Sequence, residues 1–215
     1  MNIIFTVLFV LGVIYLIKYR LNLKKAADCS KDALFPKKEH EFSSILLPTE
    51  WKEMEPLTKH TKSYQYVKWG TMIALVLLTV LLIIVISTDW LGSSFFSFAY
   101  LFFTIISAIK HRGNLFILPK GLILHGKSYS SNQIKYYETE KIIRWHELYG
   151  LDSRVNNAYK LTFYLKNRLF QPSFFVVSDL DHLEKIIGLL NEQSIMRIQK
   201  EKKPNSSVVK LTNKS

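Results

Sequence analysis

Residues 69–86 form a run of 18 residues without one Asp, Glu, Lys or Arg, centred on LVLLTVLLIIVI, and no feature of the chain constrains its fold more. As a helix rising about 1.5 Å per residue the run is about 27 Å long, close to the roughly 30 Å of a bilayer's hydrocarbon core. Two more runs are of the same kind. Residues 3–17 (IIFTVLFVLGVIYLI) carry no charge and are followed at once by Lys18, Arg20, Lys24 and Lys25. A cleaved signal peptide has its positive charge before the apolar run, so a retained anchor is expected, with Tyr15 and Tyr19 at the interface. Residues 90–109 hold SSFFSFAYLFFTIISAI, end at Lys110, and are separated from the preceding run by little more than Asp89. The last two runs are therefore expected as a hairpin, and the chain as a three-span membrane protein.

Lys and Arg collect on the cytoplasmic side of a membrane. Residues 18–67 hold ten Lys/Arg against seven Asp/Glu, the connection near Asp89 holds no positive residue, and Lys110 and Arg112 follow the third run directly. The expected topology puts the N-terminus and the hairpin tip outside and the rest in the cytoplasm. The chain then divides into a first transmembrane helix (1–17), a cytoplasmic loop (18–67), a transmembrane hairpin (68–110), a cytoplasmic domain (111–200) and a disordered basic tail (201–215). In the loop, Pro36, Pro48 and Pro56 break any long helix, and the apolar content is a short patch at Ile45, Leu46, Leu47 and Trp51. Cys29, the one cysteine, has no disulfide partner within the chain and is expected as an inert cytosolic thiol.

The cytoplasmic part changes from strand texture to helix texture. Short apolar stretches at 115–118, 122–125, 134–137, 142–148, 159–165 and 174–177 predict strands, with turns at Pro119-Lys120-Gly121, Gly126-Lys127, Asn156-Asn157 and Asn167-Arg168. The clearest alternation is YKLTFYLK, with Tyr159, Leu161, Phe163 and Leu165 on one face. After Ser178, a cap with Asp181 three residues on, Leu180, Leu183, Ile187 and Leu190 recur at helical spacing. The pattern predicts about six or seven antiparallel strands closed by one amphipathic helix, an α+β domain with Trp145, Leu161, Phe163, Leu183 and Ile187 in its core.

That order, with a Gly-Leu-Ile-Leu strand at 121–124, an Ile-x-Trp-x-x-Leu segment at 143–148 and Lys-Leu-Thr-Phe at 160–163, resembles the bacterial PH-like domain. Similar domains follow one or two membrane helices in bacterial membrane proteins, including the YcxB-like group and some peptide-antibiotic self-immunity proteins. The resemblance covers residues 113–198. It implies a PH-like fold; headgroup specificity is not carried over, because the first hairpin offers only His125 and Lys127 where eukaryotic relatives have a basic motif.

No catalytic set emerges. His146-Glu147 opens the zinc-protease pattern H-E-x-x-H, but position 150 is Gly, and neither a phosphate-binding glycine loop nor a G-x-S-x-G elbow occurs. The spans lack the ionisable residues that mark an ion path. No metal, cofactor or enzymatic activity is expected. Residues 110–215 carry 18 Lys/Arg against nine Asp/Glu, part of a net charge of +12 for the chain. Anionic lipid headgroups account for that balance without nucleic acid, each nearby cation being worth about 1 kcal/mol. Lys110 and Arg112, nearest the third span, are the expected membrane-surface contacts. The favoured expectation is a non-enzymatic, multi-pass protein of the cell membrane whose domain works at the bilayer surface, in self-immunity or resistance to membrane-active peptides. The alternative is an accessory subunit of a transporter or membrane enzyme, with a membrane-protein partner.

Overall fold

A computed structural model of the chain describes residues 2–87, 91–109, 113–166 and 172–198. The first apolar run is the start of helix α1 (Asn2–Cys29), which continues without a break through its basic half to Cys29. Next come the short helix α2 (Glu39–Ser43) and strands β1 (Ile45–Leu47) and β2 (Lys52–Glu53). The other two runs form helices α3 (Lys62–Ser87) and α4 (Leu91–Ala108). Helix α3 buries Val67, Thr71, Ala74, Leu78, Leu81 and Val85. Alternate steps of four and three draw one seam along a helix, and the remaining faces, with Ile73, Val76, Leu77, Val80 and Ile84, stay exposed. Helix α1 is the same, leaving Ile3, Val7, Val10, Leu11 and Ile14 exposed.

A helix apolar on every side but covered on one suits hydrocarbon rather than water. Helices α1 and α3 are both long and apolar enough to cross a membrane. Helix α4 packs on α1 where Gly12 removes a side chain: a Cβ there would lie 2.4 Å from the ring of the buried Phe102.

The C-terminal half is a mixed α/β unit. Strands β3 (Leu115–Leu118), β4 (Gly121–Leu124) and β5 (Lys127–Ser130) make a three-stranded antiparallel sheet. Gly121 is required there, because a Cβ would sit 2.1 Å from the Tyr129 carbonyl oxygen. Strands β6 (Ile134–Lys141), β7 (Tyr159–Leu165) and β8 (Ser173–Val177) form the centre of a second sheet. Its order is β2-β1-β8-β7-β6-β9, where β9 (Arg197–Ile198) joins β6 in parallel and every other pairing is antiparallel. Helix α5 (Leu180–Glu192) starts where the Asp179 carboxylate accepts the N–H groups of Asp181 and His182, and it lays Leu183, Ile186 and Leu190 on the core.

Residues 18–67 are therefore not a loop. Strand β1 continues the second sheet through Ile45↔Val177 and Leu46↔Val176, and Phe35 bridges to Ile117 of β3. Phe35, Ile45, Leu47, Met54 and Leu57 are buried in one core with Phe163 and Phe175.

Trp145 is not a core residue. It is 90% exposed, because residues 143–150 run as tight turns instead of a strand. His146 folds back so that its Nδ1 accepts the Leu148 N–H at 3.0 Å, and Ile142 and Leu148 are the side chains that go inward. Leu161, Phe163 and Leu183 are buried as expected; Ile187 is partly buried, beside Ile186, which takes the deeper position. The helix cap is Asp179 rather than Ser178, and residues 127–130, read as following a turn, form strand β5. The hairpin tip at Asp89, the turn at Asn167-Arg168 and the 201–215 tail lie outside the described residues.

Candidate functional site

Aromatic and basic side chains gather where the helices lose their apolar character. On α1 the rings of Tyr15 and Tyr19 stack at 6.1 Å; on α3 the Lys68 ammonium stands 5.4 Å over the Trp69 ring. The Tyr66 hydroxyl donates to the Ala108 carbonyl at 3.0 Å, satisfying an end carbonyl of α4 and fixing α3 and α4 at one level. Tyr, Trp and Lys at such a level are the residues that a water–lipid interface favours.

The α/β unit reaches the same level through its first hairpins. His125 (φ 49°) and Gly126 (φ 76°) both take positive φ, the backbone of a two-residue hairpin turn, and the Gly126 N–H donates to Asn114 Oδ1 at 2.9 Å. The His125 ring lies on Phe175 at 4.9 Å, and Lys127 stands 5.1 Å over Tyr129. This turn faces Tyr15, Lys18, Tyr19 and Asn22 of α1 across a cleft of about 620 Å³. The unit is thus docked along α1 and not tethered to it by a flexible strand.

A second contact ties residues 33–57 to the closing helix. The Glu41 carboxylate, 3% exposed, accepts the Lys185 ammonium of α5 at 2.6 Å and the backbone N–H groups of Lys37 and Lys38. Burial alone would raise its pKa, but the Lys185 ammonium and the two N–H donors outweigh burial and bring it down to about 2. Lys185 also lies 5.4 Å from the Phe35 ring, and beside it the His182 ring stacks on His40 at 5.3 Å. Sequence reasoning had no signal for this pair, since the two residues are 144 positions apart.

Lys110 and Arg112 lie outside the described residues; the neighbouring Ile109 is buried. Trp145 stands on the turns that follow the C-terminal end of β6. Among the described residues no group of three or more His, Cys, Asp or Glu is placed to hold a metal ion. His146 of the H-E pair is engaged with its own turn and lies 3.5 Å from Glu140. Cys29 is half-buried at the end of α1. Compared with family models, with characterised proteins and with solved structures, the chain has no match. Function is read from the geometry: a cationic and aromatic edge where apolar helices give way to a docked α/β unit, a surface suited to binding.

Proposed function

We propose that the chain is a non-enzymatic, multi-pass protein of the cell membrane whose α/β unit is held against the inner bilayer surface and works there by contact. The observation that carries this reading is the unbroken course of α1 from an exposed apolar half into the core of the α/β unit, where Leu23, Ala26 and Ala27 are buried. In this reading α4 is a third span, supported by its packing at Gly12, and the positive flanks of the spans put the N-terminus outside and the unit in the cytoplasm. A PH-like assignment is supported by the succession of a three-stranded sheet, a second antiparallel sheet and a closing helix. The proposed role is resistance to cationic membrane-active peptides. A strain lacking the protein becomes more sensitive to members of a peptide panel, and the full-length chain restores resistance. Unchanged sensitivity across the panel rejects the role. Labelling of Cys29 by a membrane-impermeant maleimide in intact cells rejects the topology.

The second reading, an accessory subunit of a membrane complex, is favoured by the exposed Trp145 and Leu151, which offer an apolar contact away from the membrane-facing edge. A photo-crosslinker at position 145 then captures one partner membrane protein reproducibly. Its failure to capture any, with resistance lost in the deletion strain, returns the assignment to the first reading.

A further inference from the structure

Between α1 and α3, at the level of the interfacial aromatics, lies a cleft of about 620 Å³ distinct from the one beside the hairpin turn. Its walls are graded. Toward the apolar halves of the helices it is lined by Ile17, Leu21, Thr71 and Leu75; toward the α/β unit it is lined by Arg20, Lys24, Lys59, Lys68 and His60. The order follows from helix geometry, because positions 17, 20, 21 and 24 share one face of α1 and 64, 68, 71 and 75 share one face of the antiparallel α3. Among the described residues no carboxylate lines the cleft. Asp28, outside the lining, is bound by Lys59 at 2.6 Å, which lowers the acid's pKa and raises the lysine's. Arg20, Lys24 and Lys68 form no ion pair with the described residues; Lys68 rests over Trp69. Four cations, Arg20, Lys24, Lys59 and Lys68, line one slot, and the single acid beside it, Asp28, bonds Lys59 and is within electrostatic reach of Lys24, so positive charge is left in excess and favours an anion.

We propose that this cleft binds one anionic phospholipid, its phosphodiester between Arg20 and Lys68 and an acyl chain along Ile17, Leu21 and Leu75. The proposal rests on the membrane reading above and adds a specific lipid site to it. Arg20 can present a guanidinium fork to two phosphate oxygens, while Lys68 and Lys24 act as point charges from the opposite wall and from above. A zwitterionic lipid brings a choline or ethanolamine cation into the same group of cations and is disfavoured. A soluble phosphate gains the charges but nothing from the apolar wall. The bound lipid would bridge α1 and α3 just below the docked unit and so stiffen the junction.

The test uses the full-length chain in detergent micelles doped with equal phosphatidylglycerol and phosphatidylcholine, the retained lipid being counted by native mass spectrometry. One phosphatidylglycerol is expected per chain. Arg20→Gln with Lys68→Gln should weaken its retention by about 25-fold, about fivefold for each charge removed. Lys25→Gln with Lys62→Gln, the same charge change outside the cleft, should leave retention unchanged. Equal retention of the two lipids overturns the proposal, and so does an equal loss in both double variants, which is diffuse surface charge. Competition by glycerol 3-phosphate at the concentration of the lipid assigns the site to a soluble phosphate and overturns it too. Alkaline carbonate extraction of membranes separates this from the wider reading: a chain that washes off is not an integral membrane protein, whereas one that stays but shows no lipid preference fails on the cleft alone.

Discussion

The centre of the second sheet and its outer edge are held together on different terms. Strand β7 is paired along its whole length, to β6 from Tyr159 to Leu165 and to β8 from Tyr159 to Phe163, and its alternating side chains place Leu161 and Phe163 in the core. Strand β1 is three residues long, meets β8 at Ile45 and Leu46, and is buried at every position. A strand so short has almost no ladder of its own, and its stability comes from side chains covered on both faces. The surrounding segment adds Phe35 against β3, a Ser178 N–H donated to the Ser44 carbonyl at 2.9 Å, and the pair of the buried Glu41 with the half-exposed Lys185. The centre is a local structure that recruits a core; the edge is a set of long-range contacts that exists because the core does. Since the edge also follows directly from α1, it is the link through which the long apolar helices and the sheets hold each other.

The strongest way to break this comparison is a charge in β1. Ile45→Asp puts a carboxylate in an apolar site without a partner, and the full-length chain should fail to fold, as Phe163→Asp in the centre should. Accumulation and a cooperative melt of Ile45→Asp, beside loss of Phe163→Asp, would make the edge a detachable flap. Phe35→Ala asks the same question more gently. A fully buried ring whose removal leaves a cavity between residues 33–57 and β3 should cost about 3–5 kcal/mol, read by chemical denaturation in detergent. A cost under about 1 kcal/mol would mean that the segment relaxes freely around the hole.

The Glu41–Lys185 pair sharpens the comparison by pH. A carboxyl held below its ordinary value of 4.5, at about 2, gives stability that is full above pH 4.5 and is lost as the pH falls toward 2. Glu41→Gln should cost roughly 1–3 kcal/mol near neutrality, since its one carbonyl oxygen can still accept the Lys37 and Lys38 N–H groups but the charge and the acceptor facing Lys185 are lost. The difference between wild type and variant should close between pH 4.5 and about 2. A constant difference across that window would mean that the carboxylate does not titrate with folding. Lys185, which on helical periodicity alone reads as a free surface residue, should for the same reason show a clear loss when changed to Ala.

What the sequence made legible follows the same division. Strands β3, β7 and β8 and helix α5 are local patterns long enough to register, and Leu161, Phe163 and Leu183 lie where alternation and helical spacing put them. Residues 33–57 carry no period, because a three-residue strand spans barely one alternation and Phe35 reaches the core through a single bridge. The basic cleft was half legible: Arg20, Lys24 and Lys68 flank the apolar runs in the sequence, but only antiparallel packing of α1 on α3 sets them face to face. Lys110 and Arg112, adjacent to the third run in sequence, lie outside the described residues.

The smallest expected effect is at Trp145, where the sequence pattern and the fold disagree most. In I-I-R-W-H-E-L Ile143 and Trp145 are spaced as on one face of a strand, yet the backbone turns after Ile142 and the His146 imidazole takes the Leu148 N–H, so the ring is left outside. Trp145→Ala should therefore change stability by no more than about 0.5 kcal/mol, the range of an exposed substitution without a special contact. Ile142→Ala, three residues earlier and fully buried, should cost about 2–5 kcal/mol. Denaturation of both variants in parallel tests the turn itself, because a strand through residues 142–148 would bury the ring and give Trp145→Ala a loss comparable with that of Ile142→Ala. With stability unchanged, any loss of partner capture or peptide resistance in Trp145→Ala belongs to recognition by the exposed ring.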